Sequence, residues 1–396
     1  MKVKISRKDA VSLAKTAMDV MGVRNSNPVF TRLILRADIA HCSLVLTCGS
    51  GGIALATRFV AEVIEEGEAV VSGSVFAKIV KALPNNDEVS IETFAGPMKD
   101  LVIADEKLQI VCGRSKTAIK VYESSEGPGG YVADMMSSFE EGREIVAGHF
   151  EAGRVSSACK YVSAAAARKA DDESYKQLEN ICMDFADDDS LAFVGSDGRR
   201  LAHATVNAVE GSESVVGKLR QVSVPCSAID ALIDMCDKCQ PLDELMFKSD
   251  GSRLIVQHWL WTLSLALSSL PYSNYKPAMA LKDGYREILM PKAEFSDTLH
   301  RVLLLDMEEA VYFEMHDSVA SVEVRKGDNR SHDDFDFDTG VSVEPFSICV
   351  RGRFLMDAVT DLPQETFMLH YKDGFSPMHI TCGNVHYVVM PIRPKE

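Results

Sequence analysis

The segment KLQIVCGRSKTAIKV (107–121) contains a short β-rich run, a break and a second run of alternating residues. This is the pattern of a β-hairpin. Two later segments share it, RLIVQHWLWTLSLAL (253–267) and PMHITCGNVHYVVMP (377–391). The three copies lie near the ends of three regions of similar size, so the sequence predicts one structural unit that is repeated three times.

Each of these hairpins follows a predicted amphipathic helix. In the first region, Phe76, Ile79, Val80 and Leu83 show the spacing of a helix with one apolar face, and Pro84 stops it. The equivalent segments in the other two regions are SAIDALIDMCDKCQP (227–241) and GRFLMDAVTDLP (352–363). The helix and its hairpin therefore repeat together.

Each region also begins with another predicted helix and continues into a second hairpin. The helices are SRKDAVSLAKTAMDVMG (6–22), EAGRVSSACKYVSAAAARK (151–169) and PKAEFSDTLHRVLLL (291–305). The hairpins are CSLVLTCGSGGIALATRF (42–59), DSLAFVGSDGRRLAHATV (189–206) and SVASVEVRKGDNRSHDDFDFD (318–338). The sequence therefore predicts an α+β protein with three repeated domains, at 1–124, 131–281 and 286–396, joined by turn-rich linkers at 124–130 and 281–287.

The composition is that of a globular protein, with 46% hydrophobic and 25% charged residues. No apolar run approaches the roughly 18 residues of a membrane span. The first residues, MKVKISRKDAVS, lack the apolar stretch of a signal peptide, so we expect an unexported, cytoplasmic protein without a membrane partner. In that compartment the ten cysteines are expected to be reduced and buried.

The net charge of −16 argues against nonspecific binding of nucleic acid over the whole surface. The six predicted helices nevertheless carry a net positive charge together, although the fourth, at 225–239, is acidic. Two interpretations remain open. Helices favour Lys and Arg in general, or the helices form a basic face that holds a polyanion through its phosphates.

The sequence contains no assembled catalytic motif. CGSGG (48–52) lacks the Lys-Ser/Thr pair of a phosphate-binding loop, and CDKC (236–239) has no second cysteine pair at zinc-finger spacing. The acidic runs DDDS (187–190) and DDFDFD (333–338) lack the spacing of a calcium loop. We therefore expect no enzymatic activity, no metal and no cofactor; a hydrolase or metalloenzyme that uses the acidic segments is the competing hypothesis.

Two segments indicate a partner site instead. In GSDGRRLAHATV (195–206), a strong Asp-Gly turn signal is followed by two arginines and a leucine. The segment is either a solvated turn or one rim of a groove, where arginine and apolar anchors dominate binding energy. The tail NVHYVVMPIRPKE (384–396) reads as an apolar strand that is either tied into a sheet or offered to a partner.

The tail YVVMPIRP, the turn SDGRRLA, the repeated unit and the GRSK turn at 113–116 together resemble the bacterial sliding clamp, the β subunit of DNA polymerase III. The resemblance covers the whole chain. It implies three domains of the DNA-clamp fold, and two chains that close into a ring with antiparallel sheets outside and helices lining the hole. Duplex DNA passes through that hole, so the implied function is a processivity factor without catalytic activity or cofactor.

The resemblance also implies a pocket between the second and third domains that binds linear peptides of the polymerase III α subunit, the clamp loader and repair proteins. Matched by motif, the turn supplies Ser196, Gly198, Arg199, Arg200 and Leu201, and the tail supplies Val388, Met390, Pro391, Ile392 and Arg393. Leu178 and Pro271 match with shifted local spacing. Met and Ile can repack around varied apolar ligands, which suits such a pocket.

Contacts with DNA and with a second chain follow from the same resemblance. Arg24, Lys78, Arg168 and Lys169 are the expected contacts with double-stranded DNA, made to phosphates without reading the base sequence. Leu304 and Leu305, at the end of a predicted helix, are the expected apolar part of the homodimer interface.

The sequence departs from the family pattern at four places. Pro394 stands where the family commonly ends in leucine, and Arg199 replaces a frequent His or Tyr. The loop expected at 325–339 is long and acidic, and NYKPAM (274–279) lacks the usual arginine pair. These departures indicate a divergent lineage, and a clamp-like accessory protein of a mobile element or repair system, with different partners, is the alternative.

Overall fold

A computed structural model of the protein describes residues 1–22, 27–85, 87–95, 106–139, 146–170, 172–186, 189–212, 220–337 and 344–393. The described chain forms two compact units. The first unit comprises Met1–Ala152, Gly211–Leu219 and Asp230–Leu267, and the second comprises Gly153–Glu210, Arg220–Ile229 and Ser268–Glu396. The predicted division into three domains stays a prediction.

The strands are antiparallel throughout the four sheets that they form. They are β1 Lys2–Ser6, β2 Arg32–Asp38, β3 Ser43–Ser50, β4 Ile53–Val60, β5 Glu62–Glu65, β6 Gly67–Ser72, β7 Glu88–Ala95, β8 Glu106–Cys112, β9 Ser115–Lys120, β10 Val146–Glu151, β11 Asn180–Phe185, β12 Ser190–Ser196, β13 Arg200–Asn207, β14 Gln221–Pro225, β15 Glu244–Ser249, β16 Arg253–His258, β17 Trp261–Ala266, β18 Arg286–Pro291, β19 Ala310–His316, β20 Val319–Lys326, β21 Asn329–Asp336, β22 Phe346–Arg351, β23 Thr366–Tyr371, β24 Met378–Cys382 and β25 Val385–Val389.

The helices lie where the apolar periodicity predicts them, and one further helix is longer than a single turn. They are α1 Arg7–Met21, α2 Gly73–Lys81, α3 Gly129–Met136, α4 Ala152–Ala165, α5 Cys226–Cys236, α6 Lys276–Met279, α7 Lys292–Leu303 and α8 Gly352–Thr360, with 3-10 helices at Pro28–Thr31, Ser124–Glu126 and Glu173–Glu179. The further helix is α3, which the sequence does not predict because it follows a Gly-Pro-Gly-Gly segment and buries one apolar side chain, Val132. The linker predicted at 124–130 therefore leads directly into a helix.

The first unit holds a five-stranded sheet in the order β5-β1-β7-β8-β9 and an eight-stranded sheet in the order β10-β15-β16-β17-β4-β3-β2-β6. The second unit holds an eight-stranded sheet in the order β14-β11-β12-β13-β25-β24-β23-β18 and a four-stranded sheet in the order β21-β20-β19-β22. The predicted hairpins 107–121, 253–267 and 377–391 are confirmed as β8–β9, β16–β17 and β24–β25.

Each eight-stranded sheet combines strands from two of the sequence repeats. In the first unit, β17 pairs with β4, where Thr262 faces Ala56. In the second unit, β13 pairs with β25, where His203 faces His386. A continuous ladder of backbone hydrogen bonds thus crosses from one repeat to the next in both sheets.

The acidic segment at 325–339 is not the long loop expected from the sequence. Residues up to Lys326 belong to β20, and Asn329–Asp336 form β21, with Gly327 in the left-handed region at the turn between them. Buried and exposed side chains alternate in this segment: Phe335 is buried, and Asp334 and Asp336 are exposed. A period of two favours a strand. Residues 338–339 lie outside the described part of the chain.

In the second unit, α4 packs so closely against β12 that one strand position has to be glycine. A Cβ atom on Gly195 would lie 2.2 Å from the carbonyl oxygen of Val162. Elsewhere in the second unit, Phe295 on α7 packs its ring against Phe313, Phe335 and Phe367 at centroid distances of 5.3–5.5 Å. Among the described helices, none combines the length and apolar character needed to cross a bilayer.

Candidate functional site

The turn between β12 and β13 is built by its own side chains. The Ser196 hydroxyl donates to the Arg200 carbonyl (2.7 Å) and accepts from the Gly198 amide (3.1 Å). One Asp197 oxygen accepts from the amides of Arg199 (2.9 Å) and Arg200 (3.1 Å). Gly198 has a φ of +84°, which L side chains rarely adopt. The predicted Asp-Gly turn is therefore present and rigid.

The two arginines of the turn point to different environments. Arg199 is exposed, whereas Arg200 is 7% exposed. The Arg200 guanidinium donates to Asp197 (3.0 Å), Asp357 (2.5 Å) and the Tyr387 hydroxyl (3.2 Å). Burial disfavours its charge, but Tyr387 and the two carboxylates outweigh burial and raise the pKa of Arg200.

Because all these bonds hold Arg200 inside the unit, it supports the turn from below rather than facing a partner. The Phe354 ring stacks with its guanidinium at 4.3 Å, which closes the remaining side. Arg199 is therefore the arginine of this pair that a ligand can reach.

Leu201 and Val388 meet directly across the β13–β25 ladder. They belong to a buried apolar cluster on one face of the sheet, and Tyr272 and Met279 pack against it while remaining partly exposed. The other buried members are Cys182, Val194 and Tyr275. Burial raises the pKa of the Cys182 thiol to about 12, so the thiol is protonated and apolar at neutral pH.

The two tyrosines of the cluster differ in their hydroxyl groups. The Tyr275 hydroxyl donates to Asp184 (2.8 Å), which also accepts from the Gln221 side chain (2.8 Å). The Tyr272 hydroxyl is buried and makes no normal hydrogen bond to any described group, although the Ser196 amide lies near it. Burial raises the pKa of both phenols. Neither residue was selected from the sequence, because the segment YSNYKPAM (272–279) was compared with the family pattern only by its spacing and its lack of an arginine pair.

The tail is tied to the sheet and still exposes side chains. The Met390 amide donates to the Arg199 carbonyl (2.9 Å), and the Ile392 amide donates to the Cys349 carbonyl (2.8 Å). Met390 is 43% exposed, Arg393 is exposed, and Pro391 and Ile392 are half-buried. The first alternative for the tail, that it is tied into a sheet, is therefore confirmed, and the second, that it is offered to a partner, stays a prediction. Pro394, named above as a departure, lies outside the described residues.

Leu178 and Pro271 fall at two edges of the same region. Leu178 is buried, and a Cβ on Gly198 would lie 3.6 Å from its side chain. Pro271 is exposed and directly precedes Tyr272. The structure therefore brings the predicted turn, the tail and Leu178 together, and adds Tyr272, Tyr275 and Met279 to them.

Comparison with known proteins agrees with this architecture. Residues 1–128 match the family model of the DNA polymerase III beta subunit, N-terminal domain. Over its whole length, the chain matches the sliding clamp (DNA polymerase III subunit beta) of Pseudomonas aeruginosa bound to griselimycin, with a TM-score of 0.81, 18% identity and 100% of both chains covered. This chain has the bacterial sliding-clamp fold.

Two other clamps match equally completely. The Helicobacter pylori beta clamp, bound to a DNA ligase peptide, matches with a TM-score of 0.79 and 18% identity. The Caulobacter crescentus DNA polymerase sliding clamp matches with a TM-score of 0.77 and 18% identity, and 100% of both chains is covered in each case. No curated protein matches this chain in sequence. The clamp fold is thus present in a sequence that has diverged widely.

The clamp fold places the other predicted residues as follows. Lys78 is exposed on α2, and Arg168 and Lys169 are exposed just after α4. Arg24 lies outside the described residues. Leu304 is 75% exposed and Leu305 half-buried at the end of α7.

A row of histidines crosses the sheet beside the apolar cluster and was not predicted. His203, His386, His379 and His370 sit on adjacent strands of the clamp fold. The His379 Nδ1 and His386 Nε2 atoms are 3.0 Å apart. Burial, together with the neighbouring imidazoles, lowers the pKa of His379 and His386 to about 4, so the pair is neutral at pH 7.

Proposed function

We propose that this protein is a DNA sliding clamp: a homodimer that encircles duplex DNA without reading its sequence and tethers the replicative polymerase for processive synthesis. Its role is binding rather than catalysis, and its place of action is the cytoplasm. The clamp fold of the whole chain and the family match over residues 1–128 support this function. The observation that carries the peptide-binding part is the apolar cluster at the β13–β25 pair, with Arg199 and Met390 exposed beside it.

In this proposal, a partner peptide lays an apolar side chain against the cluster. Tyr272 and Met279 are its partly exposed members and form the contact surface over Leu201 and Val388. The remaining predicted pocket residues divide by exposure: Arg199, Pro271, Met390 and Arg393 contact the peptide, and the buried Arg200 holds the turn in place. Arginine and apolar anchors of this kind dominate peptide affinity.

A peptide-binding assay tests this site. Fluorescence anisotropy would follow a labelled DNA ligase peptide of the kind that the Helicobacter pylori clamp binds. The double variant Arg199→Ala/Met390→Ala is expected to weaken binding about tenfold, because truncating two anchors costs more than ~1 kcal/mol. Phe375→Ala, which alters a side chain that is 89% exposed in the same unit, is the matched control and should bind as the wild type does. Equal affinities for all three proteins would refute the site.

DNA contacts are assigned to exposed cations that lie on the helices or directly after them. On α2, Lys78 and Lys81 are exposed in the last turn. By contrast, Arg301 on α7 pairs with Asp333 (2.5 Å), and Arg353 on α8 pairs with Glu308 (3.0 Å). Lys78 is therefore a better candidate for loose phosphate contacts than these two arginines, and Arg168 and Lys169, which are exposed just after α4, are proposed with it. Such contacts weaken with rising salt.

The homodimer is assigned to two sheet edges of opposite charge. β9 is an edge strand of the first unit and exposes Lys116 and Lys120. β21 is an edge strand of the second unit and exposes Asp334 and Asp336. An unpaired edge is a template for pairing with another chain, and opposite charges select the partner edge. The exposed Leu304 then supplies apolar contact, as does Met307, which the sequence did not indicate.

Light scattering and retention on DNA test the ring. We expect the mass of a dimer, and protein that stays on circular DNA but leaves linear DNA through its ends. Lys116→Glu/Lys120→Glu should give monomers, and mixing it with Asp334→Lys/Asp336→Lys should restore a mixed dimer. Reversing the charge of the opposite edge, Glu62→Lys/Glu65→Lys on β5, is the matched control and should leave the mass unchanged. A wild-type monomer that ignores both forms of DNA would end this proposal.

A further inference from the structure

The geometry points to a zinc-binding site in the first unit, formed by Cys239, Asp243 and His258. One sulfur, one oxygen and one nitrogen atom of these side chains all lie within 4.8 Å of one another. A nitrogen, an oxygen and a sulfur atom bound to one tetrahedral zinc ion lie roughly 3.3–3.6 Å apart. Small side-chain movements therefore suffice to place all three around one ion.

The chain holds two of the three ligands in position. After α5 ends at Cys236, residues 239–243 form a turn in which the Asp243 amide donates to the Gln240 carbonyl (3.0 Å). The Gln240 amide donates to an Asp243 carboxylate oxygen (2.8 Å), which turns the carboxylate back toward Cys239. His258 is the last residue of β16, and its imidazole Nε2 lies 3.3 Å from Asp243 Oδ2.

The Nε2 atom of His258 faces the Asp243 carboxylate at 3.3 Å, without the geometry of a normal hydrogen bond. The His258 side chain is 1% exposed, and Nε2 makes no hydrogen bond of normal geometry to any described group. Buried polar atoms nearly always have partners, and an ion at this point would supply one. The Leu260 amide contacts Nδ1 at 3.4 Å, a long contact that opens when the ring proton moves from Nε2 to Nδ1 on binding the ion.

The surroundings of Cys239 suit a metal-bound thiolate. The Trp261 indole N–H donates to the sulfur (3.4 Å), and such donors to a ligand atom tune metal sites. The Cys239 thiol itself donates to the Met235 carbonyl (3.4 Å), and an ion bound to the sulfur replaces that proton. Binding one Zn²⁺ therefore releases one proton.

The donor set selects the ion. A thiolate, an imidazole and a carboxylate together suit Zn²⁺, whereas Mg²⁺ and Ca²⁺ prefer oxygen ligands alone. Three side chains leave the fourth position to water. His258 also lines a surface cleft of about 340 Å³, together with His149, Glu244 and Trp259, which offers a route from solvent. The CDKC motif alone did not indicate this site, because Asp243 and His258 lie outside it.

Cobalt is the probe for the experiment, because Co²⁺ replaces Zn²⁺ and absorbs light. Untagged full-length protein, treated with chelator, is titrated with Co²⁺ and then with Zn²⁺. We expect one Co²⁺ per chain, a thiolate-to-cobalt charge-transfer band, and loss of that band as Zn²⁺ displaces Co²⁺. Cys239→Ser should abolish the band, and Cys236→Ser, the matched control in the same motif, should keep it.

A second variant keeps the test decisive if Cys239→Ser fails to fold. Asp243 is partly exposed, so Asp243→Asn is expected to fold, and it should bind Co²⁺ at least about tenfold more weakly. Zn²⁺ should raise the Tm of the wild type and of Cys236→Ser but not of Asp243→Asn. The proposal fails if the wild type shows no thiolate band, if Cys239→Ser keeps it, or if Zn²⁺ raises all three Tm values equally.

Discussion

The turns SDGRR (196–200) and SDGSR (249–253) share four of five residues and the same hydrogen bonds. In each, the serine hydroxyl donates to the arginine carbonyl, at 2.7 and 2.8 Å, and accepts from the glycine amide at 3.1 Å. In each, the aspartate accepts from the two amides after the glycine. The glycine φ values are +84° and +83°. The local sequence therefore builds the same turn in two units of the protein.

The arginines that end the two turns are used differently. Arg200 is buried and bonds to two carboxylates. Arg253 is half-buried and bonds to backbone carbonyls of α3 and the residues after it, including those of Asp134 (2.5 Å) and Ser137 (2.9 Å). The comparison teaches that Ser-Asp-Gly-x-Arg specifies a turn, whereas the role of its arginine is set by distant residues.

Truncating the two arginines should give the largest difference between the turns in the free energy of unfolding. Arg200→Ala removes the nearest cation of Asp197 and Asp357 and leaves Asp357 only a 3.8 Å contact with Arg353. Breaking such an ion pair around a buried arginine lowers the free energy of unfolding by about 3 kcal/mol. Arg253→Ala removes hydrogen bonds to carbonyls that water can reach, and about 1 kcal/mol should be lost. Urea denaturation of both variants measures the difference. Equal losses would mean that the burial of Arg200 has no energetic consequence.

Lowering the pH should destabilise the eight-stranded sheet of the second unit, which contains the turn 196–200. His379 and His386 have folded-state pKa values of about 4, below the ordinary 6.5, so the unfolded chain binds protons that the folded chain does not. The contribution of this pair to stability is constant above pH 6.5, falls as the pH drops toward 4, and levels off below it. After discounting for partial exposure, the total loss should be about 2 kcal/mol.

Hydrogen exchange locates that loss. Amides of β24 and β25 should lose protection between pH 7 and pH 5, after correction for the intrinsic exchange rate, while those of β16 and β17 change less. His386→Gln should reduce the dependence. A loss of the same size in the variant would show that the histidine pair is not its source.

Substituting the two turn glycines should have equal effects. Gly198→Ala and Gly251→Ala each place a side chain at a φ near +84°, which costs about 1–2 kcal/mol. The new methyl group at Gly198 would meet Leu178 only at ordinary contact distance, so no clash is added there. Gly130→Ala on α3, where nothing lies within 4 Å, is the control and should not destabilise the protein. Unequal losses at the two turns would contradict their equivalence.

The two tyrosines beside the first turn should give the smallest effects, of opposite sign. Tyr272→Phe removes a buried hydroxyl that makes no normal hydrogen bond to any described group, although the Ser196 amide lies near it, and should raise stability by up to about 1 kcal/mol. Tyr275→Phe removes the bond to Asp184 and should lower stability by about 1 kcal/mol. Thermal unfolding of Tyr272→Phe and Tyr275→Phe measures the two Tm shifts. Shifts of the same sign would contradict the assignment of the weakly bonded hydroxyl to Tyr272.

Sequence reasoning succeeds where the cause is local. Apolar spacing predicts α1 and α2, and the Asp-Gly pair predicts the turn at 197–198, because neighbouring residues determine both. It fails for Arg200, whose partners Asp357 and Tyr387 lie 157 and 187 residues away. The same limit applies to the apolar cluster, since the types and spacing of its tyrosines do not tell which hydroxyl finds an acceptor.

The pairing of β13 with β25 has a consequence during synthesis of the chain. Arg200 faces Val389, 189 positions later in the sequence. A ribosome adding about 5–20 residues per second needs roughly 10–40 s to cover that distance. For that time β13 is an open strand edge next to unfilled apolar surface, to which another nascent chain can add. The newborn protein is therefore exposed to wrong strand pairing for this time at the sheet of the proposed peptide site, and for a slightly longer time at β4, whose Ile53 waits for Leu265 of β17.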